Sequence, residues 1–407
     1  DLNSLYSAFL AAKKDSDWKP QVQKYEIDFL PNIVSTKDLL KNREYHSKPS
    51  SEFIINERGK VRPITGLQMS DRVIRHSLCD NVLSPSLIDY LIYDNGASLK
   101  GKGIDFSRKR FEEHLHKYYR MYGNDGYILL MDYSKFYDNI PHDIAYREIA
   151  KHVNDEFSLW LLQQIFDNFK IDVSYMNDEE FSNCMNVPFN STEYRLKIPK
   201  SAHTGEKYMR KSVNIGDQCS QIIGIFYPTP VDNFVKIVKS QKFYGRYMDD
   251  SYVIHRDREF LVQLEIEIAE KAKELGMTLN RKKTRIVKLS DYYKFLQITY
   301  SLTDTGRVIR KINPRRIVDM RRKLKKLSLK VIRGERTQEE VENMFRAWMG
   351  GHAHLMSKIQ RDNLNLLYFD LFGGFIDGKY YLQYYPRRQN RDSRHNEWKQ
   401  LYNRRCG

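Results

Sequence analysis

A chain of 407 residues with 68 Lys and Arg against 52 Asp and Glu carries a formal net charge of +16. That balance points to a polyanionic partner, because cations gain by displacing counterions from phosphates. A hydrophobic content of 41%, with 13% aromatics, excludes a disordered chain and is enough for two or three subdomains with cores of their own.

No apolar run approaches the length of a membrane span, and no signal-peptide pattern opens the chain. The four cysteines, Cys79, Cys184, Cys219 and Cys406, are far apart and lack paired spacing. Neither a disulfide framework nor a zinc site is expected; reduced thiols and a cytoplasmic location are.

Residues 1–125 alternate helical segments with a strand region around Arg62, and the apolar spacing of 78–91 predicts a helix packed on that core. In 126–303, Tyr127-Ile128-Leu129-Leu130-Met131 is an apolar strand that delivers Asp132, and Asp138 follows six positions later. The stretch 144–169 reads as one amphipathic helix. Phe243-Tyr244-Gly245-Arg246 and Ser251-Tyr252-Val253-Ile254-His255 have the aromatic and β-branched composition of strands. They flank Tyr247-Met248-Asp249-Asp250, whose acids then sit at a hairpin tip. Acidic turn residues are usually just solvated, but adjacent carboxylates repel and hard divalent ions relieve the repulsion. Side by side, the two strands put Asp132, Asp249 and Asp250 around one metal pair, an apparatus for two-metal phosphoryl transfer.

From 304 to 372 the character changes. The segment 314–327 sets Arg315, Arg322, Lys323 and Lys326 around Met320, Leu324 and Leu327, a basic amphipathic helix, with further helices at 338–349 and on to Phe372. An apolar seam inward and cations outward suit gripping a duplex; an ordinary solvated helix face is the alternative. After Gly373-Gly374, Tyr380, Tyr381, Tyr384 and Tyr385 interleave with Lys379, Arg387, Arg388, Arg391 and Arg394. Stacking on unpaired bases and pairing with phosphates is one reading. Tyrosines packed back on the preceding helices is the other.

In order along residues 50–370, these features resemble the reverse transcriptases of prokaryotic retroelements, the group II intron-like family. Lys60-Val61-Arg62-Pro63-Ile64 with Ser70-Asp71-Arg72-Val73-Ile74 resembles the family's fingers motif. Ser98-Leu99-Lys100-Gly101-Lys102-Gly103 stands where it has a basic glycine loop. Asp132 to Asp138 resembles its first palm motif, Tyr247 to Asp250 its metal-binding hairpin, and Leu279-Asn280-Arg281-Lys282-Lys283-Thr284 the next palm motif. Phe295-Leu296-Gln297-Ile298 falls at the primer-grip turn, with Gln297 where glycine is usual.

The resemblance implies an α+β right-hand polymerase with an antiparallel palm sheet: fingers at 1–125, palm at 126–303, a helical basic thumb at 304–372 and a basic aromatic tail at 373–407. It implies an RNA-directed DNA polymerase, a nucleotidyltransferase using Mg²⁺ held by Asp132, Asp249 and Asp250, with Asp138 structural. Lys283 resembles the lysine that protonates pyrophosphate. Lys60 and Arg62 are placed to pair with the nucleotide's phosphates, and the backbone around Tyr133 and Ser134 to meet the triphosphate. Tyr137, five residues after Asp132, falls at the sugar gate, where a ring clashes with a ribose 2′-hydroxyl. The implied partners are a template RNA, the cDNA/RNA duplex, deoxynucleoside triphosphates and an accessory protein.

Ile215-Gly216-Asp217-Gln218-Cys219-Ser220-Gln221 has Ile215 where group II intron enzymes carry glutamine, and Gln221 where they carry proline. This form resembles the enzymes of diversity-generating retroelements, which copy a template RNA with frequent errors at adenine. The segment lies beneath the templating base pair, so Gln221 joins the nucleotide-binding set. The stretch 173–213 is longer than the family pattern; Asn190-Ser191-Thr192 and Thr204-Gly205-Glu206-Lys207 are consistent with a hairpin that touches RNA or a partner. Two other readings stand beside it. One is an antiphage defence enzyme copying a noncoding RNA, primed from protein. The other is a maturase-like RNA-binding protein, which has no need of three intact carboxylates.

Overall fold

Residues 1–374, apart from 58–59, 187, 193–196 and the side chains of 57, 60, 186 and 200, are described by the computed structural model. The tyrosines and arginines of 379–394 lie outside the described residues. By internal contacts the chain divides into Asp1–Leu289 and a second unit beginning at Ser290.

In the first unit, α1 (Leu2–Lys13), α2 (Pro20–Ile27) and α3 (Phe29–Lys41) open the chain. Asp1 caps α1, and Pro20 starts α2 where its missing N–H costs nothing. Leu5, Phe9, Val22 and Ile33 close on Met69 and Val73 of α4 (Met69–Leu78). Between α3 and α4, the antiparallel hairpin β1 (Ser51–Glu57) and β2 (Lys60–Gly66) pairs Ile55 with Arg62. The helix predicted for 78–91 is the irregular continuation of α4: a widened turn over Cys79–Leu83, then Ser84–Leu87, then a tight turn to Tyr90. Pro85 sits within it, and a residue with no N–H to give breaks regular helix bonding.

Next come α5 (Ile104–Tyr122) and β3 (Tyr127–Met131). The single helix expected over 144–169 is two, α6 (His142–Ala150) and α7 (Glu156–Phe169). The Asp155 carboxylate accepts from Ser158 N at 2.8 Å and starts a new helix, so capping chemistry overrides the continuous apolar spacing. β4 (Ile171–Asp172), α8 (Asp178–Asn186) and β5 (Tyr208–Met209) form a small excursion with its own core of Val173, Met176, Phe189 and Met209.

The unit goes on with α9 (Gln218–Phe226), a short helical stretch over Thr229–Asn233 and Phe234–Val238, β6 (Tyr244–Tyr247), β7 (Asp250–His255), α10 (Arg258–Glu274) and β8 (Arg285–Lys288). β3 lies between β7 and β8 in a four-stranded sheet ordered β6-β7-β3-β8, with every pairing antiparallel. Leu129, Tyr244 and Val253 of the sheet pack with Leu162 and Ile165 of α7, Ile223 of α9 and Leu264 of α10. The thiols of Cys79 and Cys219 meet in this core at 3.2 Å as free cysteines, a proximity that a separation of 140 residues hides from sequence.

The second unit holds β9 (Tyr293–Phe295), β10 (Ile298–Leu302) and β11 (Val308–Ile312), an antiparallel sheet ordered β11-β10-β9. Phe295 pairs with Ile298, so Leu296 and Gln297 are the whole turn; their φ values of 43° and 72° are the pattern of a type I′ hairpin. Gln297 thus adopts the conformation glycine would favour, at a cost of about 1 kcal/mol. The predicted helices follow as α11 (Pro314–Ile332), α12 (Gln338–His352) and α13 (Lys358–Phe372), with capping boxes at Thr337 and Ser357. Leu324 of α11 is buried while Arg321, Arg322, Lys323, Lys325 and Lys326 are exposed, so the apolar seam and cationic face are both present. The fold is α+β. Among the described residues no helix is long and apolar enough to cross a membrane.

His142 gives the first unit an acid limit. Its Nε2 lies 2.6 Å from Ser212 O, and its Nδ1 is buried with no hydrogen-bond partner. Burial lowers its pKa to about 4 from 6.5. The unfolded chain therefore takes up the proton first. The His142 contribution to stability is flat above about pH 6.5 and falls by about 3 kcal/mol as the pH drops to 4. Urea unfolding at pH 7.5 and 4.5 measures this, and His142→Phe is expected to flatten that part of the slope.

Candidate active site

The Tyr247-Met248-Asp249-Asp250 tip is a two-residue hairpin: Tyr247 pairs with Asp250, leaving Met248 and Asp249 as the turn. Met248 has φ +54°, the left-handed value needed at the first turn position of the tight hairpins that match strand twist. Because Met248 has a Cβ, this conformation needs support from its surroundings.

Arg246 supplies that support. It is fully buried and forks onto Asp232, Nε to Oδ1 at 2.9 Å and Nη2 to Oδ2 at 2.6 Å, while Tyr244 donates to the same carboxylate at 2.5 Å. The remaining guanidinium donors reach Ile225 O at 2.7 Å and Met248 O at 3.1 Å. Burial alone lowers the arginine pKa, but the Asp232 charge outweighs it and raises it. One side chain thus ties β6 to α9 and to the turn itself.

The register of β3 with β7 pairs Met131 with Ser251, so its continuation by one residue sets Asp132 opposite Asp250. The segment after α10 runs along the outer side of Asp132: Asn280 N donates to Asp132 O at 2.7 Å and Ser134 N to Thr278 O at 2.8 Å. Lys283 Nζ contacts Asp132 Oδ2 at 2.6 Å, and Asn280 Nδ2 reaches Oδ1 at 3.4 Å. Since the Ser134 N–H is already engaged, what Ser134 offers a ligand is its hydroxyl.

Tyr137 sits behind the tip, its hydroxyl 3.6 Å from Met248 Sδ. Burial, then the charge of Asp249, pushes its phenol pKa up, so the group stays neutral. The ring lies against Gly224 of α9, where an added Cβ would stand 3.0 Å from the hydroxyl and 3.2 Å from Cε1.

A cleft of about 750 Å³ gathers Arg62, Tyr133, Ser134, Tyr137, Asp249 and Lys283 along one wall and floor. Asp132 touches it through Lys283, and Asp250 lies one residue from the tip. The side chain of Lys60 lies outside the described residues. Gln221 is exposed on α9 and does not line the cleft, whereas Ile215 of the same motif does. The motif's Asp217 faces inward instead: it caps α9 through Cys219 N at 3.1 Å and pairs with the buried Arg75.

Two cleft residues, Lys135 and Pro188, went unread in the sequence, and Ser191 and Thr192 were read only as a contact for RNA or a partner. Lys135 lines the cleft with φ +48°, and Pro188, Ser191 and Thr192 of the long excursion line it as well. Asp138 holds Ser191, and Asn139 brackets Phe189, donating to its O at 3.0 Å and accepting from its N at 2.8 Å. Asp138 is thus held by a hydrogen bond from the excursion. The excursion's partners could not be read, because it pairs with residues 50 positions away. Arg246 and Asp232 did leave a trace: a lone acid in the apolar run Pro228 to Val235 must be paired if buried.

The donor set at the tip is carboxylate oxygen alone, which suits a hard cation. Mg²⁺ is usually held by one or two carboxylates together with substrate phosphates. Among the described residues no three His, Cys, Asp or Glu side chains are gathered to hold a metal by themselves. The two features agree if the nucleotide's phosphates complete the shell.

The stretch of chain that builds these opposed acid-bearing strands and the cleft beside them matches a known family. Residues 47–300, well over half of the chain, match the family described as reverse transcriptase (RNA-dependent DNA polymerase), and the chain belongs to that family. No curated protein matches it. Membership brings nucleotidyl transfer with a nucleic-acid template and nucleotides as the general activity.

Removing Asp232 leaves a buried guanidinium uncompensated. Asp232→Ala is expected to cost about 3–5 kcal/mol in urea unfolding, more than removal of the exposed Asp257 carboxylate.

Proposed function

We propose that this reverse transcriptase makes cDNA from a dedicated template RNA in a diversity-generating retroelement. Fingers lie at 1–125, palm at 126–303, a basic helical thumb at 304–372 and a basic aromatic tail at 373–407. The observation that carries the polymerase reading is the cleft in which Arg62, Tyr137, Asp249 and Lys283 converge beside Asp132.

Arg62 binds the triphosphate through its guanidinium fork, and the Ser134 hydroxyl adds a hydrogen bond. Lys283, held on Asp132, is positioned to give a proton to the leaving pyrophosphate. The Tyr137 ring, fixed by Gly224 and Met248, occupies the space a ribose 2′-hydroxyl would need. Asp132, Asp249 and Asp250 hold Mg²⁺, which when bound lowers the pKa of the primer 3′-hydroxyl and stabilises charge on the leaving oxygens. An accessory protein and the RNA complete the assembly.

The retroelement assignment rests on Ile215 and its neighbours. Ile215 lines the cleft where the related enzymes carry glutamine, and an aliphatic side chain there supplies no hydrogen bond to hold a base pair in register. Looser positioning of the templating base is a physical source of error.

Asp249→Ala is expected to reduce synthesis about a thousandfold or more while RNA binding stays within about twofold; retained synthesis would sink the site assignment. The biological role is tested by purifying the protein with its RNA, adding Mg²⁺ and four deoxynucleotides, and sequencing RNA and cDNA together. Substitutions concentrated at template adenines support the mutagenic reading. Faithful or repetitive cDNA from a compact noncoding RNA, joined to protein, would assign the chain to antiphage defence instead.

A further inference from the structure

A second cavity, of about 420 Å³, opens at the other end of the strand that carries the hairpin tip. It shares no lining residue with the first cleft. Phe243, immediately before β6, and Met121 of α5 give it an apolar floor. Asp249 is six positions after Phe243, so the two sites are at most about 20 Å apart along the strand.

The charge around this cavity is lopsided. Its buried acid, Asp94, is already matched: Arg110 Nε lies at 2.7 Å, Lys236 Nζ at 3.1 Å and His114 Nε2 at 3.5 Å. The other arm of Arg110 meets Glu113. Two carboxylates therefore offset Arg110 and Lys236. Lys117, Arg120 and Lys242 remain, all exposed, all lining the cavity, and with no ion-pair partner among the described residues.

Nor is the cavity soft. His114 Nδ1 lies 2.8 Å from the Tyr252 hydroxyl, and the Tyr118 and His114 rings meet Phe243 edge-on at 5.6 and 5.8 Å. The back wall is thus built from α5 and the catalytic sheet together.

We infer that this cavity is a second RNA site, taking one unpaired nucleotide with its base over Phe243 and Met121 and its phosphates on Lys117, Arg120 and Lys242. A volume above 300 Å³ with an apolar floor and convergent polar groups has the anatomy of a small-ligand site. Cations beside an apolar platform are how single strands are held without sequence reading. An acidic peptide would use the cations but leave the floor without a flat partner. Such a site lets a structured RNA stay attached while its template segment moves through the first cleft.

The test is anisotropy of a labelled single-stranded RNA on the full chain at several KCl concentrations. Lys117→Ala/Arg120→Ala/Lys242→Ala is expected to weaken binding about 10- to 100-fold and to lower the slope of log K against log salt by about 1.4, from the two phosphates that flank one nucleotide at about 0.7 each. Synthesis on a preassembled primer–template should be unchanged. Lys24→Ala/Lys37→Ala/Lys41→Ala removes the same charge from exposed positions of α2 and α3. Equal losses in the two triple variants would overturn the proposal, as would unchanged affinity and slope. Unchanged RNA affinity with lost binding to polyglutamate would overturn it in favour of an acidic protein. The binding readout needs neither Asp132 nor Asp249, so its failure is separable from failure of the polymerase reading.

Discussion

The buried fork between Arg246 and Asp232 is the constraint on which the acidic tip depends. Two adjacent carboxylates and a methionine in a left-handed conformation do not hold a hairpin turn by their own preferences. Arg246 supplies the missing order by anchoring the Met248 carbonyl from below while its other donors are fixed on Asp232 and Ile225. An apolar pair of similar volume could match such a buried ion pair in net stability. It could not direct hydrogen bonds to three separate segments at once. The backbone of Asn95 and Gly96 lies against the other side of Arg246, with Gly96 N donating to Arg246 O at 3.3 Å. The tip is therefore fixed from the sheet, from α9 and from the chain preceding α5.

Around this frame, the cleft assembles residues that are far apart in sequence. Arg62 comes from an exposed hairpin near the start, Tyr137 from the turn after β3, Lys283 from the loop before β8. The Lys283–Asp132 contact has a further consequence: the ammonium neutralises one strand-end carboxylate while no other cation is present. The two acid-bearing strands can then approach without the repulsion that a bare pair would suffer.

Much of this was legible in the sequence. The apolar run before Asp132, the aromatic flanks of the tip and the basic seam of α11 are periodic signals, and the structure has strands and a helix there. Family motifs located Arg62, Tyr137 and Lys283 in the cleft. What sequence could not give is pairing at a distance. Asp232 matters because of a residue fourteen positions on, Cys79 meets Cys219 across 140, and the Ser191 wall reaches the cleft through Asp138. Capping chemistry was misjudged as well, since Asp155 divided a helix that apolar spacing made continuous. The turn at Gln297 was left open by sequence; it accepts a glycine's conformation because the strands on either side fix the loop at two residues.

The contact between Gly224 and the Tyr137 ring couples two positions that are 87 residues apart in sequence. A Cβ at 224 would stand 3.0–3.2 Å from the ring, so the ring must give by a few tenths of an ångström to admit even alanine, and a smaller residue at 137 opens a void that Gly224 does not fill. Substitutions at these sites are therefore coupled. The order with less strain shrinks the ring before the helix thickens, and the reverse order passes through a crowded intermediate. A lineage or laboratory selection that reshapes this corner of the cleft meets that asymmetry of steps.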